Sequence, residues 1–105
     1  MFNFQQIPNC TVKTIQGNYT VLITDDVLLI DATNSAITVT LPPPSDIIAN
    51  YMHTPFNIKK IDASANAVTV ASASNIDGAG TYVLSVQYQS VTVMVDNTGS
   101  TFYIL

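Results

Sequence analysis

A chain of 105 residues makes one domain, able to bury roughly two thirds of its unfolded surface. Only 10% of it is charged, against a usual figure of about 25%, while 48% is hydrophobic and the mean hydropathy is +0.32, so there are too few charges to coat a monomer. The net charge is −4, built from seven aspartates and three lysines with no glutamate or arginine, which lacks the basic patch that phosphate binding needs and excludes a nucleic-acid partner.

The longest apolar runs, Val27 to Ile30 and Val91 to Val95, are strand-length and far below the ~20 residues of a membrane span. No membrane partner is expected, and the surplus apolar surface is expected to be covered by other protein subunits.

Residues 1–9 form an N-terminal arm, uncharged, with Phe2, Phe4 and Ile7 ahead of Pro8. Such a segment docks, either as an edge strand on its own subunit or on a neighbouring subunit or larger assembly. It lacks the basic stretch and apolar core of a signal peptide, so no secretion is implied. Cys10 is alone, which rules out an intrachain disulfide and suits a small buried hydrophobe.

Residues 10–105 then read as a single domain of eight or nine short strands at even spacing, an all-β, antiparallel two-sheet sandwich of jelly-roll type. The strands are Cys10 to Ile15, Tyr19 to Thr24, Val27 to Asp31, Ala36 to Leu41, Phe56 to Ile61, Ala67 to Ala71, Tyr82 to Ser85, Tyr88 to Val95 and Thr101 to Leu105. No internal repeat stands out. Pro42-Pro43-Pro44 cannot sit inside a ladder and marks a crossing between sheets, after which Ser45-Asp46 is expected to cap one helical turn over Ile47 to Asn50. Asn97 to Ser100 is the turn of a final hairpin.

The middle of the chain is expected to be a hairpin, with Ile58 to Ile61 and Ala67 to Ala71 as arms around the turn-forming stretch Asp62 to Asn66. It carries a conflict. If Phe56 and Ile58 face inward, strict alternation buries Lys60, at a cost of several kcal/mol unless it is paired. Either a β-bulge at Lys59-Lys60 frees both lysines, or Lys60 points into a subunit interface and meets a carboxylate such as Asp62 or Asp77, of the same or a neighbouring chain. The bulge is the favoured expectation, because a buried ion pair rarely gains net stability.

Catalytic constellations fail on residue type. His53 is the sole histidine and reads as a loop residue, since no strained serine turn accompanies it. One histidine and one cysteine cannot close a zinc site. Asp62-x-Ser64-x-Asn66 resembles the start of a calcium loop but lacks the glycine and the closing glutamate, and Asp25, Asp26 and Asp31 suit turns better than a cation. No catalytic residue, cofactor or metal is expected.

Several stretches together resemble a β-rich module of tailed-bacteriophage virion proteins, found in tail and head fibres and in small capsid decoration proteins. They are Tyr19-Thr20-Val21, Asp26 to Ala32, Ala36 to Pro42, Ile58-Lys59-Lys60-Ile61-Asp62 continuing to Val70, Ile76-Asp77-Gly78, Tyr82 to Leu84 and Gln87 to Val93. The similarity runs from about Asn18 onward, with Phe102-Tyr103 where members usually keep Trp-Tyr. It implies a homotrimer with structural or attachment duties. Without coiled-coil heptads, a collagen-like repeat or a second domain, the expectation is a decoration (cement) protein on the outer surface of the virion head, bound to the major capsid protein. The alternative is a tail or head fibre segment that binds a receptor glycan. On this reading Phe2, Phe4, Ile7 and Pro8 contact the capsid, and Lys60, Tyr82, Tyr88, Met94, Phe102 and Tyr103 line the trimer interface.

Overall fold

The structure, a computed structural model, describes residues 11–50 and 55–105. Nine strands and one short helix follow in chain order: β1 (Val12–Ile15), β2 (Tyr19–Thr20), β3 (Val27–Ile30), β4 (Ile37–Thr40), α1 (Pro44–Ala49), β5 (Phe56–Lys60), β6 (Val68–Ile76), β7 (Ala79–Leu84), β8 (Ser90–Val95) and β9 (Phe102–Ile104). The fold is all-β. The expected two antiparallel sheets give way to one hydrogen-bonded sheet of mixed sense, in the order β1-β3-β5-β8-β9-β6-β4-β2, with β7 added beside β6.

The order follows from three stacked rungs. β1, β3 and β5 run parallel, with Val12 beside Val27 and Val27 beside Asn57. β2, β4 and β6 form a second parallel set, with Tyr19 beside Val39 and Val39 beside Val70. Each rung is therefore a strand, a turn and a strand on the opposite limb, and the chain returns to begin the next. Antiparallel pairing is confined to the far end, where β8 joins β5 to β9, and to the β6–β7 hairpin. The sheet thus curls from β1 round to β2, and buried side chains from both limbs enter one core cluster.

Alternation decides which residues enter that core. In β3 and β5 the inward positions are Leu28, Ile30, Phe56, Ile58 and Lys60, and in β4 and β6 they include Ile37, Val39, Val68 and Val70. Phe56 and Phe102 close the antiparallel end, with ring centroids 6.5 Å apart and planes tilted by 53°, a favourable aromatic geometry.

Two expectations about the middle of the chain are corrected. β5 and β6 do not form a hairpin: β5 pairs with β3 and β8, and β6 pairs with β4, β7 and β9. The loop between them crosses from one limb to the other, because its side chains bond to the preceding turn rather than closing on their own strands. The expected bulge is also absent. Phe56, Ile58 and Lys60 alternate inward in unbroken register, and Lys60 is wholly buried. The real hairpin is β6–β7, where Asp77 and Gly78 both adopt positive φ (48° and 84°), the Asp-Gly signature of a tight two-residue turn.

α1 begins at Pro44, earlier than expected, and has no side-chain cap. Proline supplies the first helical φ without needing a donor, and Asp46 sits in the first turn, where the helix dipole favours a negative charge. Its connection carries the chain from β4 on one limb to β5 on the other, so the triple proline precedes a crossing between limbs of one sheet and not the expected crossing between two sheets.

Candidate functional site

The densest polar constellation lies where the third rung turns. Lys60 ends the inward column Ile15–Ile30–Lys60, and its Nζ donates to Asp62 Oδ2 at 2.6 Å. The carboxylate also accepts from the Ala32 N–H at 2.8 Å, the Ser64 N–H at 3.1 Å and the Ser64 hydroxyl. The Ala32 carbonyl accepts from the Asn66 side-chain amide at 2.8 Å, and the Ser64 hydroxyl, its proton given to Asp62, accepts from the Asn66 N–H at 3.2 Å.

Burial alone would push the Asp62 carboxyl up; the Lys60 ammonium, the Ser64 hydroxyl and two backbone N–H groups outweigh it and hold the acid well below the usual carboxylate range. The arrangement locks the third turn onto the second. A carboxylate held below the ordinary range, with its oxygens engaged by four donors, is ionised at neutral pH and acts there as a structural staple.

A second cluster closes the other end of the core. Lys13, the inward residue of β1, places Nζ 2.6 Å from Asp25 Oδ1 and 3.2 Å from the Tyr19 hydroxyl. That hydroxyl donates to Asp25 Oδ2 at 2.7 Å, and the Leu22 N–H reaches the same oxygen at 2.9 Å. Asp25 is only 1% exposed. Burial pushes its carboxyl up, and the donors from Lys13, Leu22 and Tyr19 bring it to a net position below the ordinary value. Asp26 and Asp31 are held separately, by Thr11 and by Thr33, so the three aspartates do not converge. Among the described residues no group of metal-ligating side chains gathers.

With Lys59 stacked 5.5 Å above the Tyr88 ring, each of the three lysines is engaged. A shallow cleft of about 250 Å³ lies among Thr20, Thr40, Leu41, Pro42 to Pro44 and Ser72 to Ser74. No titratable group lines it. His53 and the arm residues Phe2, Phe4, Ile7 and Pro8 lie outside the described residues.

The interface candidates separate clearly. Lys60 and Phe102 lie wholly inside the chain and have no surface to offer a second copy, while Tyr82 and Met94 are half-buried and Tyr88 and Tyr103 are exposed. The outward face of β1-β3-β5-β8-β9 is a mixed surface of apolar and uncharged polar side chains. In register it presents Val12, Val27, Asn57 and Thr92 in one row and Thr14, Leu29, Lys59 and Ser90 in the next, with Met94 opposite Tyr103. Leu105, bonded through its N–H to Thr92 O, extends the first row.

Val12 is 61% exposed and Leu105 73%, and among the described residues the two rows carry one charge, Lys59, with Asp31 following Leu29 beyond them. Sequence reasoning did not single out Val12, Val27 and Leu29 on the outward face. The signal was available in the alternation of β1 and β3, but only the parallel register shows that they form rows. The threonine-rich outward face of β2, β4 and β6 (Thr20, Thr40, Thr38, Thr69) is the more polar of the two.

No protein-family model matches the chain, and no curated protein or solved structure matches it.

Proposed function

We propose that the chain is a virion structural protein of a tailed bacteriophage, a homotrimeric decoration protein that sits on the outside of the head and reinforces contacts between major capsid protein subunits. The reading rests on the resemblance of Asn18 onward to virion β modules and on one structural observation: a wide, nearly uncharged β face running from Val12 to Tyr103 and Leu105. A neutral patch of this kind suits association with other protein. In this proposal the second copies cover that face, with Met94 and Tyr103 at the interface, and the arm residues Phe2, Phe4, Ile7 and Pro8 meet the capsid. Several weak contacts made at once by a trimer give high avidity without any tight single site. No cofactor or catalytic step is involved.

Light scattering on a sizing column tests the assembly. The expected mass is three times the 11.3 kDa of the chain and persists on dilution. A stable monomer would refute it. For the capsid, the expected outcome is co-sedimentation with heads lacking the protein, lost on deleting residues 1–9 while the trimer persists. Retained binding would remove the arm from the mechanism.

A further inference from the structure

β7 stands beside the path of the sheet, and among the described residues it pairs only with β6. The carbonyls of Ala67 and Ala71 accept from the N–H groups of Ile37 and Leu41, on the β4 side, so alternation along β6 turns the N–H and C=O of Val68 and Val70 toward β7. There they lie opposite Leu84 and Tyr82. The N–H and C=O of Thr81 and Val83 therefore point the other way, to the outer edge of β7. Ala79, Gly80, Thr81 and Val83 are exposed along that edge, Val83 by 46%.

A strand edge is normally guarded by a charge, a proline or a bulge. From Gly78 to Val95 the chain has no charged residue and no proline, and the register of β7 is regular from Thr81 to Leu84. The next amide along the edge, that of Ser85, is instead closed from within by Gln89 Oε1 at 2.8 Å. The edge also complements itself. A twofold axis at Tyr82 sets Thr81 opposite Val83 of a second copy, and each such pair exchanges both its backbone bonds. Half-buried Tyr82 then meets its own counterpart at a close, non-hydrogen-bonded position, which suits an aromatic pair. Gly80, with nothing within 4 Å of its Cβ position, falls beside the counterpart of Leu84. Asp77, the charge nearest β7 in sequence, falls opposite the counterpart of Gln87, so no like charges face each other.

We propose that the outer edge of β7 is a docking site for a second copy of this chain, joined antiparallel, β7 to β7, about a twofold axis at Tyr82. The occupant is a second copy because the same backbone groups of Thr81 and Val83 donate and accept on both sides, the pairing opposes no charges, and Gly80 leaves room beside Leu84. The inference goes beyond the capsid reading and does not depend on it: the trimer proposed above uses the face of β1-β3-β5-β8-β9, and this contact uses the edge of β7. A few backbone bonds and one aromatic pair make a weak contact that forms at high protein concentration, so the mass expected on dilution is unchanged.

The test is disulfide trapping of the full chain, carrying Cys10→Ser, at high protein concentration. Residues facing each other at a non-hydrogen-bonded position have Cα atoms about 4.5 Å apart, within disulfide reach. Tyr82→Cys is therefore expected to give a covalent dimer. Val86 is 63% exposed, but its counterpart lies about 27 Å away along the paired strands, and Val86→Cys is expected to give about tenfold less dimer or lower still. Trapping reports the twofold contact whether the free protein is a monomer or a trimer. A second pair of variants leaves Tyr82 in place and is read by light scattering at rising concentration. Thr81→Lys with Val83→Lys sets like charges opposite each other and is expected to abolish the growth in mass, whereas Thr81→Asp with Val83→Lys sets opposite charges there and restores it. Trapping at residue 82 no greater than at 86, or a mass that responds to neither charge arrangement, would overturn the inference.

Discussion

Replacing Lys60 by methionine removes a charge from a fully buried position and keeps the length of the side chain. Lys60 is 0% exposed and Asp62 8%, so the change leaves a carboxylate out of water with no cation. Breaking one partner of a buried pair costs about 3–5 kcal/mol, and Asp62 keeps the Ala32 N–H and both Ser64 donors, which places the loss near 3 kcal/mol, a large part of the roughly 5–15 kcal/mol that holds a domain together.

In urea, at fixed protein concentration, that loss lowers the unfolding midpoint by about 1–3 M. Adding Asp62→Asn to Lys60→Met removes the orphaned charge and recovers part of the loss, giving a coupling energy between the two sites. The sign of the pH effect is fixed by the depressed Asp62 carboxyl: in the wild type its contribution is complete above the unfolded value of 3.8 and is lost as pH falls below it. The gap between wild type and Lys60→Met therefore narrows below pH 3.8. A Lys60→Met protein within about 0.5 kcal/mol of wild type at neutral pH would refute the buried staple.

Gly99 has φ +69°, and a Cβ there would stand 2.7 Å from Ile48 Cγ1 on α1, whereas Gly78 has φ +84° with nothing within 4 Å of its Cβ position. Both alanine variants carry the left-handed backbone penalty of about 1–2 kcal/mol, and Gly99→Ala is expected to lose more because Ile48 must move; thermal melts that rank them the other way would separate α1 from the β8–β9 turn. Tyr19→Phe removes one donor to Asp25 and is expected to cost about 1 kcal/mol, a fall in Tm of about 4–8 °C for a chain of this size. An unchanged melt would mean that the Lys13–Asp25 pair closes this end of the core unaided.

Most strands are legible because they are short, β-branched and bounded by turn residues, whereas β6 runs on through the small polar residues to Ile76 and β7 starts at Ala79, both beyond the expected bounds of Ala71 and Tyr82. The pairing of the strands is not legible. A stack of rungs announces itself in sequence only when its repeats are equal, and here equivalent positions are 15 and 30 residues apart on one limb (Val12, Val27, Asn57) and 20 and 31 on the other (Tyr19, Val39, Val70). The turn at Gln16 to Asn18 is short, the turns after Asp31 and Ile61 are longer, and α1 enlarges one return. Lys60 shows the opposite case. Alternation alone places it inside; what the sequence does not carry is the geometry that brings Asp62, two residues on, back onto it at 2.6 Å with four donors around one carboxylate, which makes a bulge unnecessary.

A parallel stack faces one physical problem: each rung exposes unpaired edges that can recruit more strands. The far end of this one is closed by switching to antiparallel β8 and β9, which bridge β5 to β6. At the near end the polar trio Lys13, Tyr19 and Asp25 closes the core itself, and among the described residues β1 and β2 each pair on one side. Charge is normally what protects such an edge, and the chain has little of it. Its three lysines are each engaged, two in ion pairs and one over Tyr88. An edge and a face with so little charge, in a protein of this composition, suit cover by protein, as the proposed assembly has it.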